Sequence, residues 1–235
     1  MKQNEEKVKK AKKKKKHKIL SFRHFPYDFI ILTGALPMWL FLRPKIYRMG
    51  KEKIKGAGIV MSNHVGLLDI VYLHFCFPGR RMWSLAMKEL FDTKAKNNFF
   101  RLAKCIPVDR ENVTIDMYHD IADVLNSGKL LAIFPEGHIN FDEKPDVKNF
   151  KGGVALFAIM NKVPVVPIYI VKRQKWYHRQ RIILGEPIHL ETICDGTPSI
   201  RDVEKVSIYL HEKEEELARF YDEKCQKKKK GKNND

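Results

Sequence analysis

His64 and Asp69 stand five residues apart in MSNHVGLLDIVYL, two polar side chains in an otherwise apolar run. An imidazole takes up a proton near neutral pH, and a carboxylate on its far nitrogen fixes the tautomer and stabilises the imidazolium. Such a pair can strip a proton from a hydroxyl. On one continuous helix, residues five apart point about 140° away from each other. The two meet if His64 lies in a turn and Asp69 in the first or second helical turn, with Asn63 as the cap and Gly66 allowing close approach. The alternative is a structural capping turn in which Asp69 satisfies backbone amides, and the spacing alone does not separate the two.

Other candidate residues follow apolar runs. Lys88 comes after WSLAM and Arg110 after CIPVD. A point charge combined with a planar fork suits a phosphate, against the alternative of plain surface charge. In FPEGH, Pro135 and Gly137 constrain the backbone around Glu136. That segment is either a functional turn or an ordinary strand-to-helix connection in which Glu136 holds a basic side chain. Ser62, Cys76 and Cys105 stay open as nucleophiles. The four cysteines form no CxxC pair, so neither a zinc site nor a disulfide framework is expected, and a reducing cytoplasm suits them. No GxxxxGK[ST] or GxGxxG loop is present, which disfavours nucleotide binding through those motifs.

The elements that must hold these residues alternate. Strand-like runs are KIYR, GIVMS, RMWSLAM, CIPV, KLLAIFP, VPVVPIYIV and RIILGEPI. Helical stretches are LLDIVYLHFCF, KELFDTKAKNNFFRLAK, VTIDMYHDIADVLNSG, GVALFAIMNK and a long amphipathic segment from Val203. This alternation predicts an α/β fold, a mostly parallel central sheet flanked by helices. The ligand site of such a sheet lies at the carboxyl ends of its strands. His64, Lys88, Arg110 and Glu136 all fall there.

The formal charge of +17 sits mostly at the ends. Residues 1–18 carry ten Lys against Glu5 and Glu6, giving +8, and residues 224–235 carry six Lys against Asp235, giving +5, which leaves +4 for the body. Both end runs read as disordered basic tails. The positive leader is too long for a signal peptide and no small-residue cleavage site follows it. Residues 19–44 read as a membrane-associating helical segment built on FPYDFIILTGALPMWLFL. It is borderline for a span, which needs about 20 apolar residues, and Asp28, Gly34 and Pro37 interrupt it. A helix or hairpin in one leaflet, a single span and a core helix are the three dispositions it allows. Residues 45–223 form the expected globular domain.

Taken in order, NHVGLLD, IPVDR, FPEGH and VPVVPIYI resemble the four blocks of the lysophospholipid acyltransferase family, with similarity from about Gly56 through Pro187 that takes in KELF and FKGGVALFAI. The resemblance implies transfer of a fatty acyl group from acyl-CoA or acyl-ACP to the free hydroxyl of 1-acylglycerol-3-phosphate (lysophosphatidate), giving phosphatidate. It makes His64 the general base and Asp69 its orienting partner. Lys88 and Arg110 go to the acceptor phosphate, Glu136 and Gly137 to acceptor binding, and Pro164 to the acyl-side wall. No metal or cofactor is implied beyond the thioester co-substrate. The oxyanion of the tetrahedral intermediate needs donors, expected from backbone N–H groups at the helix start after His64.

The chain departs from the family pattern in two places. His138-Ile139-Asn140 replaces the common Thr-Arg-Ser after the third block, removing one phosphate partner, and Pro107 stands where Phe is common. A different lysolipid acceptor is therefore an alternative, as is a non-catalytic peripheral membrane protein of the same fold. The expected location is the cytoplasmic face of a membrane, peripheral or monotopic, with the Lys runs on anionic lipid. The small charge of the body and the lack of a base-reading motif argue against specific nucleic-acid binding.

Overall fold

Seven short runs of Ile, Val, Leu and Met form strands: β1 (Lys45–Arg48), β2 (Gly58–Ser62), β3 (Met82–Met87), β4 (Cys105–Val108), β5 (Leu130–Ile133), β6 (Val165–Ile170) and β7 (Arg181–Leu184). The computed structural model describes residues 25–109, 114–139, 152–172, 179–190 and 199–232. The strands pair in the order β1-β7-β6-β2-β5-β3-β4. β2 to β6 all run parallel to one another. β7 is antiparallel to β6, and β1 is parallel to β7. The expected mostly parallel sheet is therefore present, with two reversed strands at one edge.

The helices are α1 (Phe25–Leu42), α2 (Asp69–Cys76), α3 (Lys94–Leu102), α4 (Ile115–Asn126), α5 (Gly153–Asn161) and α6 (Ile200–Lys232). Alternation along the strands sends side chains to two cores. Ile59 and Met61 of β2 and Leu131 and Ile133 of β5 pack with Ile121 and Leu125 of α4, Ala155 of α5, and Val206 and Leu210 of α6. Val60, Leu130 and Ala132 face the other way, onto Tyr72, Leu73 and Cys76 of α2. Burying each such Leu or Ile fully contributes roughly 1.5–3 kcal/mol. The central strand β2 is buried along its whole length, and this strand delivers His64.

Three local differences from the sequence reading have clear causes. KELFDTKAKNNFFRLAK is not one helix. A 3-10 turn at Lys88–Phe91 ends before Thr93, whose side chain accepts the Lys96 N–H at 3.3 Å and starts α3 afresh. β6 and β7 are shorter than their apolar runs, which continue past the regular ladder only through single contacts such as the Val165–Ile188 bridge and the Gly185 N–H on the Pro167 carbonyl at 2.9 Å. The expected disordered tail from residue 224 is corrected as far as Lys232, because the α6 backbone continues to that point. A run of lysines at the carboxyl end of a helix is favoured by the helix dipole.

The chain divides into two compact units, Met1–Met38 and Trp39–Asp235. In the first, residues 25–38 are helical, with Asp28 in the first turn and Pro37 inside the helix. No helix among the described residues is long and apolar enough to cross a membrane, so the single-span disposition of residues 25–42 finds no support. The tail at 1–18 lies outside the described residues.

Leu73 is fully buried one turn beyond Asp69. Leu73→Ala is expected to lower unfolding stability by about 2–5 kcal/mol through the cavity it leaves, read as a reduced denaturant midpoint with an unchanged m value.

Candidate active site

Ser62 is the last residue of β2 to pair with β6, opposite Ile168. Asn63 then extends the ladder with its side chain. Its amide donates to the Ile170 carbonyl at 2.9 Å and accepts the Ile170 N–H at 2.7 Å. A primary amide offers the same donor and acceptor pair as a peptide group, so the chain leaves the strand with its direction fixed. Asn63 is thus not the helix cap expected from the sequence. The cap position of α2 belongs to Leu68, without a side-chain bond.

His64 and Asp69 meet as the turn-then-helix geometry requires. His64 Nδ1 lies 2.8 Å from Asp69 Oδ2, with Asp69 as the first residue of α2. The same oxygen accepts the Val65 N–H at 2.7 Å and the Gly66 N–H at 2.8 Å. Three donors converging on one oxygen suit a carboxylate. The Nδ1 proton therefore points at Asp69, leaving Nε2 with its lone pair. The Asp69 side chain is 3% exposed and that of His64 is 21% exposed. Phe134 stacks on the imidazole, ring centroids 4.2 Å apart and planes 18° from parallel. The ring is thus gripped at one edge and covered on one face.

The N–H groups of Val65 and Gly66 are committed to Asp69, and one expectation for this turn is corrected. Gly66 was expected to permit close approach. A Cβ there would meet only Asp69 Oδ1 at 3.9 Å, an ordinary contact. What Gly66 contributes is its N–H.

The third block forms a tight turn. The Gly137 N–H donates to the Phe134 carbonyl at 3.0 Å, and Gly137 adopts φ +73°, a left-handed value that glycine takes without strain. Pro135 presets the turn. The Met61–Ile133 register brings this turn alongside the end of β2, which is why Phe134 reaches His64. Glu136 is turned inward and buried, with the His138 ring Nδ1 2.9 Å from its carbonyl.

Lys88 and Asp109 follow the paired ends of β3 and β4 and form a surface ion pair at 2.5 Å, with half the Lys88 side chain exposed. Exposed pairs of this kind contribute about 1 kcal/mol or less, so Lys88 can exchange its partner. Arg110 lies outside the described residues. Pro164 is not brought to the site. Its carbonyl accepts the Ile59 N–H at 3.0 Å at the amino end of β6, and the length of β2 puts on the order of 15 Å between that level and His64. The acyl-wall role is therefore withdrawn.

The alternative nucleophiles are poorly placed. Ser62 is fully buried with its hydroxyl donating to the Asn63 carbonyl at 3.1 Å. Burial pushes the Cys76 thiol up to about 12 and also raises that of Cys105, so neither is a ready thiolate. Among the described residues no group of three or more His, Cys, Asp or Glu side chains is arranged to hold a metal ion.

Two residues near the site went unremarked in the sequence. Phe134 heads the FPEGH segment, and parallel register alone would have placed it beside His64. Glu214 comes from α6 and is buried. Burial first, then the charge of Glu136, pushes its carboxyl up to about 8. The signal was its position on the stripe Val206, Leu210, Leu217, where a helix buries apolar side chains.

A family model described as Acyltransferase matches residues 44–171, more than half the chain. The chain belongs to this acyltransferase family, as its four blocks suggest. It is 31% identical over 111 residues to a 1-acyl-sn-glycerol-3-phosphate acyltransferase of Streptococcus pneumoniae, a match covering 47% of this chain and 40% of that protein. It is 29% identical over 121 residues to an N-acylphosphatidylethanolamine synthase of Arabidopsis thaliana, covering 48% and 42%. The chain thus spans less than half the length of these relatives. The crystal structure of the 1-acyl-sn-glycerophosphate (LPA) acyltransferase of Thermotoga maritima shares its fold, with a TM-score of 0.57, 20% identity, and coverage of 80% of this chain and 76% of that one.

Asn63→Ala strips the Ile170 N–H and carbonyl of their partner. A stability loss of about 1–3 kcal/mol is expected, measured by thermal or urea unfolding.

Proposed function

We propose that this chain is an O-acyltransferase that moves a fatty acyl group from acyl-CoA or acyl-ACP to the free hydroxyl of 1-acylglycerol-3-phosphate. The reading is carried by one observation, the 2.8 Å contact of His64 Nδ1 with an Asp69 oxygen that also takes two backbone N–H groups. That arrangement leaves Nε2 as a fixed base beside a partly open surface.

The acceptor oxygen attacks the thioester carbon while Nε2 removes its proton. The carbonyl electron pair moves onto oxygen, and Asp69 stabilises the imidazolium. The intermediate then collapses, the carbon–sulfur bond breaks, and His64 returns the proton to the departing sulfur as the free thiol forms. No covalent enzyme intermediate is needed. Lys88 and Arg110 bind the acceptor phosphate, Lys88 by leaving Asp109. Gly137 shapes the turn that borders the acceptor, and Glu136 acts from beneath it.

Membrane attachment is part of the same reading, since both substrates carry fatty chains. Trp39, Leu40 and Phe41 are exposed at the end of the segment suggested for docking, and the Lys runs suit an anionic surface at the cytoplasmic face. A second reading, acyl transfer to a different acceptor, is favoured by His138 and Ile139 where an Arg-containing sequence is common.

Offered one acyl-CoA and a panel of lysolipids, with products read by mass spectrometry, the protein is expected to acylate lysophosphatidate preferentially. His64→Ala should lower kcat by about 10²–10⁴-fold; turnover equal to the native protein would sink the mechanism. Lys88→Met should raise KM for lysophosphatidate about tenfold, the weight of one charge-assisted contact, and leave KM for a phosphate-free acceptor unchanged. A phosphate-free acceptor winning the panel would overturn the roles of Lys88 and Arg110.

A further inference from the structure

The helix α3 buries none of its nine side chains. It is fastened to the domain by Phe100, whose ring packs on Phe91 of the Lys88–Phe91 turn with centroids 5.4 Å apart, and by contact with β4. At 3.6 residues per turn, Ala95, Phe99 and Ala103 fall along one line of the helix. All three are exposed, and Phe99 is 63% exposed. Lys96 lies to one side of that line, and Lys94 and Arg101 lie further round on the other. Helices this short are marginal in water unless something packs on them.

The neighbouring turns repeat the pattern at the edge of the sheet that holds His64. Ala132 of β5 pairs with Val60 of β2 and with Ser84 of β3. The residues three further along, Asn63 and Met87, therefore reach that edge at one level, about 10 Å apart across two strand spacings. The catalytic turn leaves from the first, and the Lys88–Phe91 turn that leads into α3 leaves from the second. Leu67, between His64 and Asp69, is 85% exposed, and Leu90 is 40% exposed. Residues 88–104 carry five basic side chains against Glu89 and Asp92, which is most of the net charge of the body.

We propose that α3 and the Lys88–Phe91 turn form a docking surface for an anionic phospholipid bilayer: Phe99 and Leu90 enter below the headgroups, Lys94, Lys96 and Arg101 stay at the lipid phosphates, and the sheet edge that carries His64 is set down on the membrane. This surface is separate in sequence from residues 39–41, and only its link to catalysis rests on the acyltransferase reading above. Charge and arrangement select a bilayer over a protein partner. The exposed apolar side chains project from three separate segments, which a fluid bilayer takes up one by one, whereas a protein interface needs a contiguous complementary patch. Long basic side chains beside an apolar one keep their charge in the headgroup layer while the ring goes beneath it. Lys96 is 3.1 Å from Asp92, and Arg101 donates to Asn97 at 2.9 Å; both are exposed contacts that a lipid phosphate can replace.

Hydrogen exchange of the full chain, read by mass spectrometry over residues 94–102, tests the surface without turnover. In the presence of vesicles of equal parts phosphatidylcholine and phosphatidylglycerol, the α3 amides should exchange about tenfold more slowly than in the free protein. Leu90→Ser combined with Phe99→Ser should abolish the slowing, and Phe99→Leu should retain it. Native protein that fails to sediment with these vesicles, or that sediments with α3 exchange unchanged, would overturn the proposal, as would slowing by an acidic carrier protein and not by vesicles. In the activity arm, Phe99→Ser should lower kcat/KM about tenfold for lysophosphatidate embedded in the vesicles and leave it unchanged for a short-chain lysophosphatidate dissolved as monomer. An equal loss on both acceptors would tie Phe99 to the integrity of the site and refute docking. Slowed exchange without acyl transfer to any lysolipid would uphold the docking surface and refute the acyltransferase reading instead.

Discussion

A single carboxylate oxygen organises the site. Asp69 Oδ2 collects the N–H groups of Val65 and Gly66 and faces Nδ1 of His64. It therefore shapes the turn and aims the base with the same atom. Asp69 can do this only because it opens α2, whose inner face is locked under the sheet by Tyr72, Leu73 and Cys76. The carboxylate is nearly dry, and a buried charge is tolerated only where its lone pairs are satisfied. The capping turn and the His64–Asp69 pairing that the sequence left as alternatives are thus one arrangement. Its backbone contacts hold the carboxylate in place beside the imidazole.

The other half of the constraint comes from behind. Asn63 repeats a peptide group at the end of β2, so the strand pairing continues one step past the last regular residue. His64 consequently inherits the precision of a central parallel strand rather than the freedom of a loop, which is what a base must have to meet a reacting atom within hydrogen-bond reach. Phe134 adds a flat wall supplied by the neighbouring strand. Charge fixation, strand geometry and aromatic packing come from three different segments, and all three depend on β2 lying between β5 and β6.

Much of this was legible in the sequence for physical reasons. The alternation of β-rich runs with helical periods announces a parallel sheet, and parallel sheets put their polar clusters at one edge, so the convergence of NHVGLLD with FPEGH could be foreseen. Boundaries were less legible. Thr93 divides an apolar-periodic stretch into two helical pieces because its cap is a local bond that hydrophobic spacing does not register. Pro164 misled because a proline next to a strand says nothing about which end of the sheet it occupies; only register with Gly58 and Ile59 settles that. The role given to Asn63 failed for a related reason. Its amide was assigned to its neighbours in sequence, while its partner lay 107 residues away.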